Sequence, residues 1–491
     1  MKILMIAAEA FPFAKTGGLA DTVSSLAIAL HKNGHDVRIL IPRYYSIDRK
    51  TLELLEEPMG VSVGASEVWT AVYKTKMPEI KNNKTLPVYF IDHENSFGRD
   101  GIYGTPLEPD FDDNPFRFSL LCNSAFQLCK KLNWYPDILH VHDWSTALVP
   151  ALLKFYHRKG SFTHTASVLT VHNLAYQGVY PTYHYPKTGM NWSEFYSGGF
   201  EDWDHMNFLK SGLVSADVIS TVSPKYALEI QQPQYGFRMD SILAHRKKDL
   251  FGILNGINTD EWNPTTDNKI VANYSIQTMH EKTKNKTALQ KRMGLVKDSS
   301  IPIVGIIMRL VDQKGISELF APTYGSAFAM CVDFNMQMIV LGSGEKWCED
   351  ELINLSSKLP NFASYIGYDN ELSHLIEAGS DFFLMPSKYE PCGLNQMYSL
   401  LYGTLPIVRN TGGFADTVEQ YNEKTGEGTG FLFNNLSPQS IYDTVGWAMY
   451  TWYNKKEDIE KMKIKAMNNN FSWDSSVKKY EHVYNYALKK L

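Results

Sequence analysis

Polar side chains gather at the carboxyl ends of the short apolar runs in this sequence, the place where an open parallel sheet binds its ligands. In the first half these are Glu9 and Lys15 after Ile3 to Ala8, then His140, His142 and Asp143 around Ile138 to Val141, then His172 and Asn173 after Val168 to Val171. In the second half they are Arg309 and Lys314 after Ile303 to Met308, Gly342 to Glu345 after Met338 to Leu341, and Lys388 with Glu390 after Phe382 to Met385. Lys15, Arg309 and Lys314, together with two Gly-Gly helix starts, form the kind of donor array that stabilises a diphosphate. The pattern is neither G-x-G-x-x-G nor a P-loop, because Gly17-Gly18 is not followed by Gly-Lys-Ser/Thr. What remains is a nucleotide diphosphate attached to something else. A sugar is favoured by the 13% aromatic content, with 28 Tyr and 10 Trp, since aromatic faces stack on the apolar faces of sugar rings.

Each residue has a plainer reading when taken alone. Lys15 is then a solvated loop lysine, His142 and His172 are hydrogen-bonded core histidines, and Glu390 is a surface or helix-start carboxylate. Cys392 is a small buried hydrophobe with no evident base beside it. Asp110-Phe111-Asp112 and Asp202-Trp203-Asp204 imitate metal-binding carboxylate pairs, yet each sits in an irregular stretch, so no metal is expected. The aromatic run Trp192 to Trp203 reads as core or lid packing.

The elements that must position these residues repeat one grammar. Apolar strand Ile3 to Ala8, a loop with Lys15-Thr16-Gly17-Gly18, a helix carrying Leu19, Val23, Leu26, Ala27 and Leu30, a stop at Gly34 and strand Val37 to Ile41 form a parallel crossover. Further runs at Val88 to Ile91 and Val218 to Ile219 extend the sheet, which is expected to be parallel with helices on both faces. After an irregular stretch around Gly252 to Pro264 the grammar restarts, continuing through Ser364 to Ile366 and Pro406 to Val408, so two similar α/β domains are expected. Their kinship is visible inside the chain: Thr16 to Val23 recurs as Thr411 to Val418, identical at seven of eight positions. Each copy follows a strand and opens a helix, and each could turn backbone N–H groups toward an anion. If the two carboxyl edges faced each other, both sets of polar residues would line one cleft. From Ser472 the positions Val477, Tyr480, Val483, Tyr484, Ala487 and Leu488 mark an amphipathic last helix whose partner is not given by the pattern.

With 491 residues the chain has length for about two to four domains, and 44% apolar against 21% charged residues is an ordinary globular balance. A net charge of −5 supplies no basic field for nucleic acid. No apolar run reaches the roughly 18 residues of a membrane span, and Glu9, Pro12 and Lys15 interrupt the first apolar run where a signal peptide would be cleaved. Five widely spaced cysteines with no C-x-x-C pair suggest neither a disulfide framework nor a zinc site, and a reducing intracellular compartment is expected.

Seven separated motifs, in order along essentially the whole chain, resemble the signature set of bacterial glycogen synthases and plant starch synthases. They are Lys15-Thr16-Gly17-Gly18-Leu19, His140-Val141-His142-Asp143-Trp144, Thr170 to Gly178, Asn255-Gly256-Ile257, Arg309 with Gln313-Lys314-Gly315, Glu390-Pro391-Cys392-Gly393-Leu394 and Thr411-Gly412-Gly413. The resemblance implies a GT-B glycosyltransferase with two Rossmann-like domains facing across a cleft: residues 1–250 on the acceptor side, 251–470 on the donor side, and 471–491 as a helix returning to the first domain. It implies transfer of glucose from ADP-glucose to the non-reducing end of an α-1,4-glucan such as glycogen or a maltooligosaccharide, with retention of configuration and neither cofactor nor metal.

Carried over by position, Lys15, Gly17 and Gly18 would contact the donor, Arg309 and Lys314 its diphosphate, and His172 the transferred glucose. Glu390, Cys392, Gly393 and Leu394 would contact that sugar, as would Asn255; Thr411 and Gly412 would border the donor, and Asp143 would sit near the reacting centre. Phe414, Lys388 and Asn258 depart from the usual Leu, Arg and Asp, and Tyr398 stands where a paired-Glu motif would place its second Glu. A UDP-glucose-dependent relative and a catalytically silent glucan-binding protein are the alternatives, while pyridoxal phosphate chemistry is disfavoured. The resemblance places the protein in the cytoplasm, or in a plastid for a plant or alga.

Overall fold

The computed structural model describes residues 1–78 and 85–491. The chain forms two compact units, Met1–Gly256 with Trp473–Leu491, and Ile257–Ser472.

The first unit carries strands β1 (Lys2–Ile6), β2 (Asp36–Pro42), β3 (Glu53–Leu54), β4 (Met59–Val63), β5 (Ser66–Lys76), β6 (Pro87–Asp92), β7 (Ile138–His142), β8 (Ala166–Val171), β9 (Val179–Pro181), β10 (Glu201–Asp202), β11 (His205–Asn207), β12 (Val218–Thr221) and β13 (Leu250–Gly252). The main sheet runs β13-β12-β8-β7-β1-β2-β6-β5-β3, and β9 to β11 make a separate three-stranded sheet. Every residue of β7 and β8 is buried, because helices cover both faces, and the polar ones among them, such as His140 and Thr170, are hydrogen-bonded within the core rather than alternating toward solvent. Helix α1 (Gly18–Lys32) buries Ala20, Val23, Leu26, Ala27 and Leu30, and Gly34 at φ 90° ends the reversal into β2.

The expectation of an all-parallel sheet needs one correction. β5 pairs antiparallel with β6, β3 and β4. For β4 and β5 the reason is the short connection at Gly64-Ala65, with Gly64 at φ 62°: two residues suffice for a hairpin, whereas a parallel return needs a crossover of a dozen or more.

The second unit has one all-parallel sheet of β14 (Ile303–Leu310), β15 (Gln337–Gly344), β16 (Phe362–Ile366), β17 (Phe382–Met385), β18 (Leu405–Arg409) and β19 (Phe431–Phe433), in the order β16-β15-β14-β17-β18-β19. Helix α2 (Gly412–Thr417) holds the second copy of the internal repeat and is only six residues long, because Val418 turns to an extended conformation. Behind the sheet, Trp262 lies flat between His374 and Tyr398, with ring centroids 3.7 and 3.9 Å away.

The last helix, α3 (Trp473–Leu488), belongs to the first unit. Val477, Tyr480, Val483, Tyr484 and Ala487 are buried against α1 and β8, and the Tyr484 hydroxyl meets His140 Nδ1 at 2.9 Å. Tyr484→Ala is expected to cost about 3–5 kcal/mol, the range for emptying a large buried ring site. Tyr484→Phe should cost about 1–3 kcal/mol, since only the partner of a buried imidazole nitrogen is lost. Urea unfolding of both variants checks the order; equal losses would mean that the ring contributes no packing.

Candidate active site

At the carboxyl edge of the first unit, a buried carboxylate organises the glycine loop. Glu9 is 2% exposed and accepts hydrogen bonds from the Thr16 backbone N–H, from Thr16 Oγ1 at 2.8 Å and from the Tyr103 hydroxyl at 2.8 Å. Thus Glu9 anchors the loop and Tyr103 is spent on Glu9. Lys15 pairs with Asp21 in the first turn of α1 at 2.7 Å, and its ammonium stays near the protein surface. A Cβ on Gly17 would meet no atom within 4 Å, so packing does not explain glycine there; close approach by something outside the protein would.

The next two strands bring His142, Asp143 and His172 together. Asp143 sits at φ 56° immediately after β7, and its Oδ1 accepts the backbone N–H groups of His172 at 2.6 Å and Asn173 at 3.4 Å. Burial pushes the Asp143 carboxyl up to about 7, and the charge of Glu9 adds to that, against the pull of the two N–H groups. His172 is driven down to about 3 by burial, and His142 is held well below the usual imidazole range by burial and by its two neighbouring imidazoles. The histidines are therefore neutral. His142 Nδ1 and His172 Nε2 lie 3.1 Å apart. His140, by contrast, is a core residue, fully buried between Tyr484 and Thr170 Oγ1 at 2.7 Å. Asn255 is buried as well: its Nδ2 donates to Thr22 Oγ1 on α1 at 3.2 Å, while its Oδ1 has no partner among the described residues. The amide that the resemblance assigns to the donor sugar is thus half committed to packing.

At the carboxyl edge of the second unit the charges are cationic. Arg309 ends β14 exposed and makes no ion pair among the described residues. Lys314 forms an ion pair with Glu390, which also accepts from Ser387 Oγ at 3.0 Å. Gly315, at φ 75°, would place a Cβ 2.3 Å from the Pro386 carbonyl, so only glycine lets the Lys314 turn lie this close to the strand-end loop that carries Glu390. Lys388 bonds Asp312 at 2.6 Å.

The second repeat copy does something different from the first. A Cβ on Gly412 would lie 1.8 Å from the Glu390 carbonyl, one on Gly413 would lie 1.9 Å from the Cys392 carbonyl, and the Gly413 N–H already donates to Glu390 O at 3.0 Å. These glycines lie close against the Glu390–Cys392 backbone, and the Gly413 N–H is taken by the Glu390 carbonyl, so the second copy packs differently from the first. Thr411 is buried at the start of α2. Gly393, at φ 69°, and Leu394 lead into the following helix, and the Cys392 thiol is buried with the other four cysteines.

The structure thus brings together Glu9, Lys15, Gly17, Asp143 and His172 on one edge, and Arg309, Lys314, Glu390, Gly393 and Gly412 on the other unit's edge. A survey by charge passes over Tyr365 and Tyr368, exposed by 42% and 78% at the end of β16; their signal was an aromatic pair at a strand end. Asp110 is bonded to Asn114 and Tyr180, and Asp202 to Asn207 and Arg238, so neither carboxylate pair is open. Among the described residues no group of three or more His, Cys, Asp and Glu could hold a metal, and no helix is long and apolar enough to cross a membrane.

The Asp143 geometry carries a pH prediction. Its carboxyl holds a proton more tightly in the folded protein, about 7 against an ordinary 3.8, so the folded state binds more protons across that window. Stability therefore falls as pH rises from 3.8 to about 7 and is level above. Asp143→Asn keeps an oxygen for the His172 N–H, tolerates the positive φ and carries no charge. It should lose that fall and be more stable than the natural chain at about pH 8 in urea unfolding; lower stability at that pH would show that the carboxylate is favoured where it stands.

Comparison with known proteins identifies the family. Residues 2–245 match the family model "Starch synthase catalytic domain" and residues 290–466 match "Glycosyl transferases group 1". A glycogen synthase of Treponema denticola is 60% identical over 490 residues, covering 100% of this chain and 99% of that protein. Glycogen synthase 1 of Geobacter metallireducens is 42% identical, covering 100% and 97%. Among solved structures, the catalytic domain of starch synthase IV from Arabidopsis thaliana, bound to ADP and acarbose, superposes with a TM-score of 0.88 at 31% identity and 99% coverage of both chains. With this identity along its whole length, the chain belongs to the glycogen synthase and starch synthase family of GT-B glycosyltransferases.

Proposed function

We propose that the protein transfers glucose from ADP-glucose to the non-reducing end of an α-1,4-glucan, with retention of configuration, in the cytoplasm. The observation that carries this is Arg309: a guanidinium exposed near the end of a buried parallel strand, without an ion pair among the described residues, on the segment that leads directly into Lys314, a lysine paired to a single carboxylate. An exposed arginine near a strand end, followed by such a lysine, suits an anion that arrives with the substrate. The departing ADP carries the developing negative charge, and fixed cations can hold it without a metal. The ADP in the solved starch synthase supports adenine as the donor base.

In this reading the second unit supplies the donor side. Arg309 and Lys314 hold the diphosphate, Glu390, Cys392, Gly393 and Leu394 meet the sugar, and Thr411 and Gly412 border it. The first unit supplies the acceptor side, with Lys15, Gly17 and Gly18 toward the donor phosphates, His172 beside the transferred glucose and Asp143 near the reacting centre. Asn255 contributes its unmatched Oδ1.

Given retention, what the carboxylates are doing supports same-face attack over a double displacement. Glu9 is bound to Thr16 and Tyr103, Asp143 to two backbone N–H groups, and Glu390 to Lys314 and Ser387. Each is occupied, so none is poised as a nucleophile for double displacement. Attack on the same face, with the leaving phosphate taking the acceptor proton, needs only positioning and charge stabilisation.

Two measurements test this. ADP should be released from ADP-glucose only when glycogen is present and without added metal; release of UDP from UDP-glucose at a higher rate would overturn the donor. Lys314→Ala should lower kcat by roughly 100- to 1,000-fold, about 3–4 kcal/mol, because its charge matters most as the diphosphate leaves. Glycogen binding in that variant should be unchanged, and wild-type turnover would remove Lys314 from the diphosphate.

A further inference from the structure

Three histidines cluster beneath the first unit's edge, and their hydrogen bonds are unequal. His140 is bonded at both nitrogens, Nδ1 to the Tyr484 hydroxyl at 2.9 Å and Nε2 to Thr170 Oγ1 at 2.7 Å. His142 is bonded at one: Nδ1 faces His172 Nε2 at 3.1 Å, while its Nε2 is buried without a partner among the described residues. His172 Nδ1 takes no hydrogen bond from the described residues.

Burial keeps both His142 and His172 neutral, so each ring carries one proton and only one proton lies on the line between them. Two arrangements exist. If His172 donated from Nε2, His142 would have to accept at Nδ1 and keep its own proton on Nε2, leaving a buried N–H with nothing to bond. If His142 donates from Nδ1, the unmatched Nε2 is a bare lone pair. Orphaned buried N–H groups are the rarer outcome in native proteins, and the second arrangement avoids one.

We infer that His142 is a positioning residue that donates its Nδ1–H to Nε2 of His172, fixing His172 as the Nδ1–H tautomer and giving it a neutral N–H donor for the transferred sugar. The last step rests on the placement of His172 beside that sugar proposed above; the tautomer itself does not. His172 then cannot accept a proton at Nδ1, and its role is to hold an oxygen of the substrate. The brace reaches further back. The His140 ring lies 4.3 Å from the His142 ring and is pinned by Tyr484, so α3 sets the plane of His142 and through it the direction of the His172 donor.

The imidazole 15N spectrum of the full chain, labelled at its 14 histidines, tests this, with His172→Gln assigning the His172 signals. His172 should appear with its proton on Nδ1 and should not become a cation between about pH 6 and pH 8. A proton on Nε2 of His172 would overturn the inference. His142→Leu should leave His172 as a mixture of tautomers and lower kcat about tenfold or more, the usual size of losing the partner behind a functional imidazole. His142→Asn, whose amide N–H can stand in for Nδ1–H, should restore both the tautomer and most of kcat. An unchanged His172 signal in the leucine variant would again overturn the proposal, and if that variant does not fold, the wild-type spectrum and the asparagine variant decide. Added ADP-glucose should move the His172 Nδ1 signal; the Nδ1–H tautomer without that movement would sink the placement at the sugar and leave the hydrogen bond from His142 standing.

Discussion

Parallel strands sealed on both faces leave their carboxyl ends as the place where polar chemistry can collect. β7 and β8 are buried at every residue, and the same holds for β17. Side chains in the middle of such strands must be apolar or hydrogen-bonded within the sheet, as His140 is to Thr170 and Thr170 to Ser220. At or just past the ends of β7 and β8, which pair with each other, stand His142, Asp143 and His172, and near the end of β14 in the second unit stands Arg309. Burial that begins as a packing requirement then sets the chemistry: it neutralises the imidazoles and raises the Asp143 carboxyl, while groups that need to stay charged find partners or water.

The internal repeat shows how little a motif fixes by itself. Thr16 to Val23 and Thr411 to Val418 share seven of eight residues, yet the first opens a helix of 15 residues and the second one of six. Gly17 borders open space, whereas Gly412 and Gly413 are wedged against the Glu390 and Cys392 carbonyls. One glycine leaves room for something outside the protein, and the other pair makes room for the protein's own backbone. Within the protein only the second pair requires the absence of a Cβ, although both copies keep the same letters. The second has a structural consequence for the charged residue next to it, since the Gly413 N–H fixes the Glu390 carbonyl and through it the direction in which the carboxylate meets Lys314.

Much of this was legible in the sequence because continuous apolar runs report strands, and the residue that breaks each run reports a strand end. Lys15, Asp143, His172, Arg309, Lys314 and Glu390 all emerge from that rule, and each stands at a carboxyl edge. The rule fails where position depends on distant contacts. It cannot tell His140, bonded to a tyrosine 344 residues away, from His142. It does not show that Asn255 turns its amide onto α1, nor that β3 to β5 run antiparallel, since strand direction follows from connection length and pairing rather than from composition. Tyr398 illustrates the same limit: its ring is stacked on Trp262 at 3.9 Å, a packing role that no spacing along the chain announces.

The two edges differ in electrical character, and that difference is itself an argument for a transfer reaction. Around His172 strong fields are avoided: imidazoles without charge, a carboxyl shifted toward its protonated form, Lys15 matched by Asp21, and Glu9 met by the N–H and hydroxyl donors of Thr16 and Tyr103. Around Arg309 a positive charge is left without an ion pair among the described residues, and Lys314 is matched only by Glu390. A polyhydroxy acceptor gains nothing from a strong field and is held by fixed neutral donors and acceptors; a leaving diphosphate gains most from cations that need not move when its charge grows. A protein that only bound glucan would have no use for the second set, since an exposed arginine adds little to recognition of an uncharged polymer. The guanidinium near the end of β14, exposed and without an ion pair among the described residues, fits the transferase reading better than that of a binding protein, and it costs little to hold because it stays in water.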